Sequence, residues 1–196
     1  MSRKIPLGQG RVALVDEADY HRFRHYNWFL SKTGYAVGYV PVDGRHTLTY
    51  LHRLILQPGE GEQVDHVNGD PLDCRRANLR IATPSQNGQN RRVSSRSKTQ
   101  LKGVGWHKGR GRYHARIQLE GIRVHLGFFD DKETAALVYD AAARLLFGEF
   151  ALCNYPECAT PPSVTLLVAE RLQRRGLLAE WPAQARKLVA AVAVGD

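Results

Sequence analysis

The chain has 196 residues, 43% of them hydrophobic, which suits one mid-sized or two small folded domains and argues against wholesale disorder. A formal net charge of +9 and a pI near 9.7 indicate a polyanionic partner: DNA, RNA or an acidic membrane surface. Three sparse cysteines and no long apolar run argue against a disulfide framework, a structural zinc site and a membrane span, and predict a cytoplasmic protein.

The N-terminal part, up to about residue 56, is predicted to be rich in strands. Alternating β-branched and aromatic residues predict short strands at residues 11–15, 35–40 and 47–51. Residues 17–28 carry aromatic side chains at helical spacing and predict a helix. Residues 59–69, rich in Gly, Pro, Asp and Asn, predict a loop. Short helices are predicted at residues 75–79 and 84–90, the second beginning at Thr83.

A basic, serine-rich run without periodicity, residues 91–98, is typical of a linker, and a second folded unit is predicted beyond it. Three antiparallel strands are predicted there, at residues 103–107, 113–119 and 122–128, with a tight turn at Glu120-Gly121. Alternation predicts one apolar face, made of Tyr113, Ala115, Ile117, Leu119, Ile122, Val124, Leu126 and Phe128. The opposite, polar face holds His114, Arg116, Gln118, Arg123 and His125.

A longer helix is predicted after the third strand. Asp130 suits its N-cap, with Glu133 three residues later, and Gly148 ends it. Its apolar stripe needs a partner, and the apolar face of the sheet provides one. Residues 164–194 contain two further helical patterns, divided at Trp181-Pro182.

Four polar side chains at fixed spacing point to phosphodiester hydrolysis: Asp65, His66, Asn78 and Asn87. The attacking water must lose a proton, and a histidine with a pKa near neutrality suits that task. A hard cation held by oxygen ligands would offset the charge on the phosphorane and stabilise the leaving oxygen. The Asp65 carboxylate and the Asn87 carbonyl supply such oxygens, and Asn78 could bond the histidine ring and fix its tautomer.

The strings around these residues resemble the HNH endonucleases, in the subgroup found among phage and intron homing enzymes. They are VDHVNGD at 64–70, NLR at 78–80, SQN at 85–87 and HRLI at 52–55. The resemblance implies a fold of two strands, a helix and one metal ion. It also implies that His66 is the general base, that Asp65 and Asn87 bind the metal, and that Asn78 orients the base. Asn87 replaces the histidine of the family name, which favours Mg²⁺ or Mn²⁺ over zinc.

Strings in the second unit resemble the AP2 DNA-binding domain of plant transcription factors and of phage and bacterial nucleases. They are KGV at 102–104, ARI at 115–117, LGFF at 126–129, AALVYDAA at 135–142, GEFA at 148–151 and NYP at 154–156. The resemblance covers about residues 99–156 and implies a three-stranded sheet that lies in the major groove. Gly105 stands where plant members usually carry an arginine, so their sequence preference does not transfer.

The predicted DNA contacts are polar and basic side chains on the sheet, in its turns, in the linker and beside the nuclease motif. They are His52, Arg53, Arg91, Arg92, His107, Lys108, Arg110, Arg112, His114, Arg116, Gln118, Arg123 and His125. For His52, a place in the core is an equally open alternative. The linker either follows phosphates or the minor groove, or is a solvated spacer.

We therefore predict an α+β protein whose parts are a ββα-metal (HNH) nuclease module within residues 1–93, a basic linker at 94–101, an AP2-like domain at 102–158 and a helical segment at 159–196. The predicted function is metal-dependent, site-selective cleavage of double-stranded DNA, by nicking or by cutting both strands, of the phage or mobile-element homing type. The alternatives are a catalytically inert AP2-type regulator and a packaging protein that uses charge alone. The expected location is the cytoplasm of a bacterial or phage-infected cell, at the nucleoid.

Overall fold

The computed structural model describes residues 1–42 and 44–178, and the chain divides into two compact units. We call residues 1–90 the N-terminal unit and residues 91–196 the C-terminal unit. Each unit has its own sheets, helices and buried apolar residues. Within the described ranges, no helix combines the length and the apolar character needed to span a bilayer.

The described part of the N-terminal unit contains three small antiparallel sheets and three short helices. In chain order its elements are β1 (Ser2–Pro6), β2 (Val12–Asp16), α1 (Glu17–Phe23), β3 (Trp28–Leu30), β4 (Ala36–Val42), β5 (Arg45–Tyr50), α2 (Leu51–Leu56), β6 (Gln63–His66), β7 (Leu79–Ala82) and α3 (Pro84–Gln89). β1 pairs with β2, β6 pairs with β7, and β3, β4 and β5 form a sheet in that order. Apolar side chains from all three sheets share one buried cluster, which includes Val15, Trp28, Val40, Leu51 and Val64.

Several elements of this unit differ from the predictions. The predictions omit β1, β3 and α2, and β6 lies inside the predicted loop at 59–69. The helix predicted to reach residue 28 ends at Phe23, because Trp28 is a buried residue of β3 and its indole Nε1 donates to the Phe23 carbonyl oxygen at 2.8 Å. The helix predicted at 75–79 is a single 3-10 turn, Arg76–Asn78, whereas the predicted helix at 84–90 is confirmed as α3.

The described part of the C-terminal unit is a three-stranded antiparallel sheet with two helices. Its elements are β8 (Val104–His107), β9 (Arg112–Leu119), β10 (Ile122–Phe129), α4 (Lys132–Phe147) and α5 (Pro162–Gln173). The sheet order β10-β9-β8 confirms the three predicted strands, and Glu120 and Gly121, both with positive φ, form the tight turn. α4 contacts all three strands, and α5 contacts both α4 and β10. The sheet, α4 and α5 therefore share one core.

A β-bulge in β10 changes which side chains share the polar face of this sheet. The register shifts between His125 and Gly127, so Phe128 pairs with His114 instead of joining the apolar face as predicted. The Phe128 ring centroid lies 5.2 Å from that of His107 and 4.4 Å from that of His125. These rings surround His114, which is only 7% exposed, so the prediction that it is a free DNA contact is wrong.

The helix predicted after the third strand is confirmed as α4, with a different cap. Asp131, rather than Asp130, accepts the Thr134 backbone N–H, at 2.6 Å, and Gly148 follows the last helical residue as predicted. α5 is the first of the two helical patterns predicted in residues 164–194. The second pattern lies outside the described residues.

Candidate active site

Asp65 and His66 lie at the end of β6, a short strand fixed by its two neighbours. Pairing of β6 with β7 places Asp65 opposite Arg80. α3 packs against both strands and begins at Thr83 with a capping box, in which side chain and backbone of Thr83 and Gln86 bond each other reciprocally. The local sequence therefore holds the helix that carries Asn87 against the strand that carries Asp65.

The Asp65 carboxylate is 4% exposed and accepts hydrogen bonds from two side chains. Arg80 approaches Oδ2 with Nε at 2.8 Å and Nη2 at 2.7 Å. Asn90 Nδ2 lies 2.9 Å from Oδ1 and 3.0 Å from Oδ2, and it also donates to the His66 carbonyl oxygen at 2.9 Å. A buried carboxylate without such partners would be costly, so Arg80 and Asn90 stabilise the charge of Asp65.

Asn90 is a site residue that the predictions omit. It follows Asn87 by three residues, which places both side chains on one face of α3 and its C-terminal cap. Asn87 Nδ2 donates to Gln63 Oε1 at 2.6 Å, while Asn90 reaches Asp65, two residues along the same strand. The two asparagines thus align helix and strand. Their spacing in the sequence is the signal that could have identified Asn90.

His66 lies in an aromatic enclosure. The imidazole is 5% exposed, and its ring centroid is 5.0 Å from that of His52 and 5.8 Å from that of Tyr35. His52 is itself 6% exposed and packs against Tyr35 and Tyr50. The structure therefore favours the interior alternative for His52 over the predicted DNA contact.

Burial dominates the protonation of both histidines. Desolvation lowers the pKa of His52 to about 3, with smaller contributions from His66 and Arg53. Desolvation also lowers the pKa of His66, although the nearby carboxylate of Asp65 opposes this shift. Nδ1 of His52 and Nε2 of His66 are both enclosed and have no hydrogen-bond partner among the described residues. Both rings are therefore neutral near pH 7.

Asn78 lies beside His66 in the fold but bonds a different group from the one predicted. Its Nδ2 donates to Asn68 Oδ1 at 3.0 Å and to the Asp73 carbonyl oxygen at 2.8 Å, and its Oδ1 accepts the Asn68 backbone N–H at 3.0 Å. These bonds close the loop of residues 67–73 that follows the histidine. The prediction that Asn78 bonds the His66 ring is therefore wrong.

The same loop is tied to the N-terminal strand β2 and to α1. Leu14 donates to the Leu72 carbonyl oxygen and accepts from the Cys74 backbone N–H, each at 2.8 Å. Just beyond the loop, Arg76 binds the buried carboxylate of Asp19 through Nε at 2.7 Å and Nη2 at 2.8 Å. The position of the loop therefore depends on residues far from the nuclease motif in the sequence.

The oxygens of this site fit a hard divalent cation. A carboxylate oxygen has more than one lone pair, so Oδ1 of Asp65, which accepts a hydrogen bond from Asn90, could also bind a cation. Asn87 is held through its Nδ2, and its carbonyl oxygen is the kind of atom that such a cation prefers. Among the residues described here, no group of three His, Cys, Asp or Glu side chains could hold a metal. A cation at Asp65 and Asn87 would therefore need further ligands from phosphate or water.

The C-terminal unit brings together most of the predicted DNA contacts on the polar face of its sheet and in the turn after β8. Arg116, Gln118, Arg123 and His125 are exposed on β9 and β10, and Lys108 and Arg110 are exposed in the turn. The Arg110 guanidinium lies 4.8 Å from the centroid of the Phe128 ring, which the bulge turns to this face. The result is a basic surface with an aromatic centre.

The remaining predicted contacts have different surroundings. Arg112 forms an ion pair with Asp130, with Nε at 2.8 Å from Oδ1, so this arginine is already paired. Arg53 donates to the Glu62 carbonyl oxygen at 3.3 Å. Arg91 and Arg92 are exposed in the segment between α3 and β8. Arg112 and Arg53 are therefore already bonded within the protein, whereas Arg91 and Arg92 stay predicted contacts.

Comparison with known proteins agrees with this geometry. A family model described as HNH endonuclease matches residues 49–89, from β5 to the last turn of α3. The chain is 32% identical over 152 residues to a protein of Acanthamoeba polyphaga mimivirus named "Uncharacterized HNH endonuclease L560", a match that covers 75% of this chain and 76% of that protein. It is 33% identical over 92 residues to "Protein 3.8" of Escherichia phage T7, covering 47% of this chain and 75% of that protein. With the motif, the strand–strand–helix site and these matches in agreement, the chain belongs to the HNH endonucleases and is a DNA-cleaving nuclease.

Proposed function

We propose that the chain hydrolyses phosphodiester bonds of double-stranded DNA with Mg²⁺ or Mn²⁺, at the site formed by β6, β7 and α3. The observation that carries this proposal is the enclosed imidazole of His66, whose Nε2 has no described partner, directly after a buried carboxylate. A buried polar atom without a partner costs stability, and a catalytic role is one of the reasons that explain its presence.

His66 acts as the general base. Because burial lowers its pKa, the imidazole is neutral near pH 7 and offers a lone pair at Nε2. A water molecule that attacks phosphorus gives its proton to that nitrogen. The neighbouring His52 ring, at an interplanar angle of 78°, restricts the rotation of the imidazole and so keeps it oriented.

Asp65 and Asn87 would hold the cation through their Oδ1 atoms. When bound, the cation would offset negative charge on the phosphorane and on the leaving oxygen. Arg80 stays on Oδ2 of Asp65, and its positive charge opposes cation binding by the protein alone. We therefore expect the site to bind metal tightly only when a DNA phosphate supplies further oxygens.

Asn78 and Asn90 act as positioning residues. Asn78 fixes the loop that follows the base, and Asn90 joins the Asp65 carboxylate to the end of β6. Removal of either amide is expected to displace His66 or Asp65, because each side chain makes at least two hydrogen bonds in this region. Neither amide needs to touch the substrate for this role.

The C-terminal unit serves as the AP2-like DNA-binding domain. Its polar sheet face carries Arg116, Arg123 and Gln118, and a β-ribbon of this width fits the major groove, where arginine pairs with guanine. Arg91 and Arg92, exposed in the segment before β8, would follow the phosphates. Because one chain carries both units, DNA bound by the sheet is held near the nuclease site.

The biological type that fits best is a phage or mobile-element endonuclease of the homing type, since the two relatives come from a giant virus and a phage. One site per chain implies a nick, unless two copies or successive cuts break both strands. One observation favours the alternative of an inert DNA-binding regulator: Arg80 and Asn90 already bind the carboxylate that would hold the metal.

The test is incubation of the purified chain with genomic DNA in Mg²⁺ or Mn²⁺, followed by mapping of the break ends. We expect breaks that stop with a chelator and that fall about 10²- to 10⁴-fold in rate in His66→Ala, the usual contribution of a general base. The matched control is His21→Ala, which removes an exposed imidazole of α1 and should cut like wild type. Normal cutting by His66→Ala would overturn the role of the base, and no cutting by wild type would favour the regulator.

A further inference from the structure

We propose that a cleft between β10 and the end of α5 binds the phosphate backbone of DNA. The cleft has a volume of about 790 Å³ and is lined by Arg112, His125, Gly127, Arg171, Arg174 and Arg175. We call it the arginine cleft. This proposal rests on the proposed role of the C-terminal unit in DNA binding, and it assigns a function to the helix that follows the AP2-like region.

Arg171 is the central residue of the arginine cleft. Its Nη1 is enclosed and has no hydrogen-bond partner among the described residues, although a guanidinium strongly prefers to be bonded. Nη1 lies only 2.7 Å from where a Cβ on Gly127 would be, so the absence of a side chain at the bulge is what allows its approach. Gly127 has a φ of 138°, which L side chains rarely adopt. The bulge therefore allows the Arg171 guanidinium to lie against the sheet.

The two other arginines, Arg174 and Arg175, directly follow the C-terminal end of α5. The Arg174 N–H donates to the Glu170 carbonyl oxygen at 3.0 Å, and the Arg175 N–H donates to the Leu172 carbonyl oxygen at 3.1 Å. Both side chains are exposed, and no described carboxylate pairs with them. Two exposed guanidinium groups therefore lie beside Arg171 on the lining of the arginine cleft.

The charge of the arginine cleft selects an anion. Arg112, on the facing strand, is neutralised by Asp130, and His125 completes the wall. Partial desolvation, followed by the positive charge of Arg171, lowers the pKa of His125, so its exposed imidazole is neutral near pH 7 and the three arginines supply the charge. Guanidinium groups bind phosphate oxygens with paired, charge-assisted hydrogen bonds.

DNA is the occupant that suits the location. His125 and Phe128 belong both to the polar sheet face and to the wall of the arginine cleft, so the two surfaces are continuous. A duplex whose bases face the sheet therefore extends its backbone toward α5. Cationic side chains near a helix C-terminus also interact favourably with the helix dipole. That interaction alone would stabilise α5 without any ligand.

The experiment measures binding of the full chain to a short random-sequence duplex in EDTA, over a series of NaCl concentrations. The variants are Arg171→Gln and the double variant Arg174→Gln/Arg175→Gln. Arg116→Gln tests the sheet face, and Arg11→Gln, exposed in the turn between β1 and β2, is the control for one lost charge. Each lost phosphate contact should reduce the slope of log K against log salt by about 0.9, which is about fivefold in affinity at 0.15 M salt.

The proposal is supported if the double variant loses about two units of slope and Arg171→Gln about one, with Arg11→Gln unchanged. It is overturned if Arg116→Gln weakens binding and the double variant does not, because the sheet face would then act alone. If neither weakens binding, the proposed role of the whole C-terminal unit fails. Arg171→Gln leaves a gap near the bulge, so its melting temperature is compared with that of wild type. Because Arg174 and Arg175 are exposed, their double variant decides the outcome.

A second arm distinguishes DNA from free phosphate. Inorganic phosphate is added to wild type at constant ionic strength while thermal unfolding is followed. A rise in melting temperature that Arg171→Gln abolishes, together with unchanged DNA affinity of the same variant, would overturn the assignment to the DNA backbone.

Discussion

The two units of this protein use arginine in opposite ways. In the N-terminal unit, Arg76 and Arg80 each bind a nearly buried carboxylate, that of Asp19 and that of Asp65 respectively. In the C-terminal unit, Arg116, on β9, and the arginines of α5 lie without a described carboxylate partner. These paired arginines stabilise the first unit, whereas the second unit pairs Arg112 with Asp130 but leaves the charge of Arg116 and Arg171 for an external anion.

The sequence composition follows the same division. Residues 1–90 contain 11 Lys and Arg against nine Asp and Glu, while residues 91–196 contain 17 against ten. A net positive charge that no internal carboxylate neutralises attracts a polyanion and makes its binding sensitive to salt. The overall charge of the chain is therefore mainly a property of the C-terminal unit. The comparison predicts that equivalent arginine substitutions will affect stability in one unit and binding in the other.

The largest difference is expected between Arg80→Leu and Arg116→Leu. Arg80→Leu leaves the Asp65 carboxylate buried beside Asn90 alone, which should cost about 3–5 kcal/mol of the free energy of unfolding. Arg116→Leu changes an exposed side chain and should stay within about 0.5 kcal/mol. Hydrogen exchange of the backbone amides in β2 and in β9 measures the unfolding of the N-terminal and the C-terminal unit separately. Equal costs in the two variants would contradict the comparison.

The next effect concerns Asn90, the amide that joins α3 to β6. Asn90→Ala removes hydrogen bonds to a buried carboxylate and to a backbone carbonyl, and should cost about 1.5–3 kcal/mol. DNA cleavage should slow as well, because the Asp65 carboxylate loses its support. Asn27→Ala, an exposed asparagine before β3, is the control and should change neither quantity. An unchanged rate in Asn90→Ala would show that Asp65 is positioned by Arg80 alone.

Acid should destabilise the N-terminal unit through His52. Its pKa is about 3 in the folded chain but near 6.5 when unfolded, so below pH 6.5 only the unfolded state takes up the proton. The stability that this group contributes is complete above pH 6.5 and is lost as pH falls toward 3, at up to about 1.4 kcal/mol per pH unit. Urea denaturation between pH 7 and 5 measures the free energy of unfolding, which should depend less on pH in His52→Phe than in wild type. His21→Phe, at an exposed site, should keep the wild-type dependence on pH.

The smallest effects concern the caps of α3 and α4. Thr83→Ala and Asp131→Ala each remove a side-chain acceptor of a backbone N–H and should cost about 1 kcal/mol. The two variants should differ in function, because α3 carries Asn87 and α4 carries no proposed ligand. A cleavage assay at saturating DNA should therefore slow in Thr83→Ala only. Equal cleavage rates in the two variants would show that the cap of α3 does not affect catalysis.

The sequence places Asp65, His66 and Asn87 in one motif because short spacings bring them together, and their chemical roles stay predictions. The helix begins at Thr83 as predicted, and the structure adds a reciprocal cap between Thr83 and Gln86. The sequence did not predict the partner of Asn78, since a side-chain amide bonds whichever donors and acceptors the fold brings near. Nor did it give Asn90, whose role depends on how closely α3 packs against β6.

The alternation of the C-terminal sheet is confirmed at its centre, but Ile122, predicted on the apolar face, is 42% exposed. Ala115, Ile117, Val124 and Leu126 are buried, as a period of two requires. Beyond His125 one extra residue reverses the faces, so Phe128 lies among histidines instead of in the core. A bulge depends on local backbone twist, and no hydrophobic pattern records it. Glycine at position 127 is the nearest signal in the sequence.

The attachment of the loop of residues 67–73 to β2 has a consequence for protein engineering. The segment recognised as a nuclease, residues 49–89, does not include Leu14 or Asp19, which anchor that loop and the 3-10 turn after it. A transplanted fragment limited to the motif would retain the proposed catalytic side chains while lacking the residues that anchor the loop beside them. A transplanted nuclease segment should therefore include the whole N-terminal unit, beginning with the hairpin of β1 and β2.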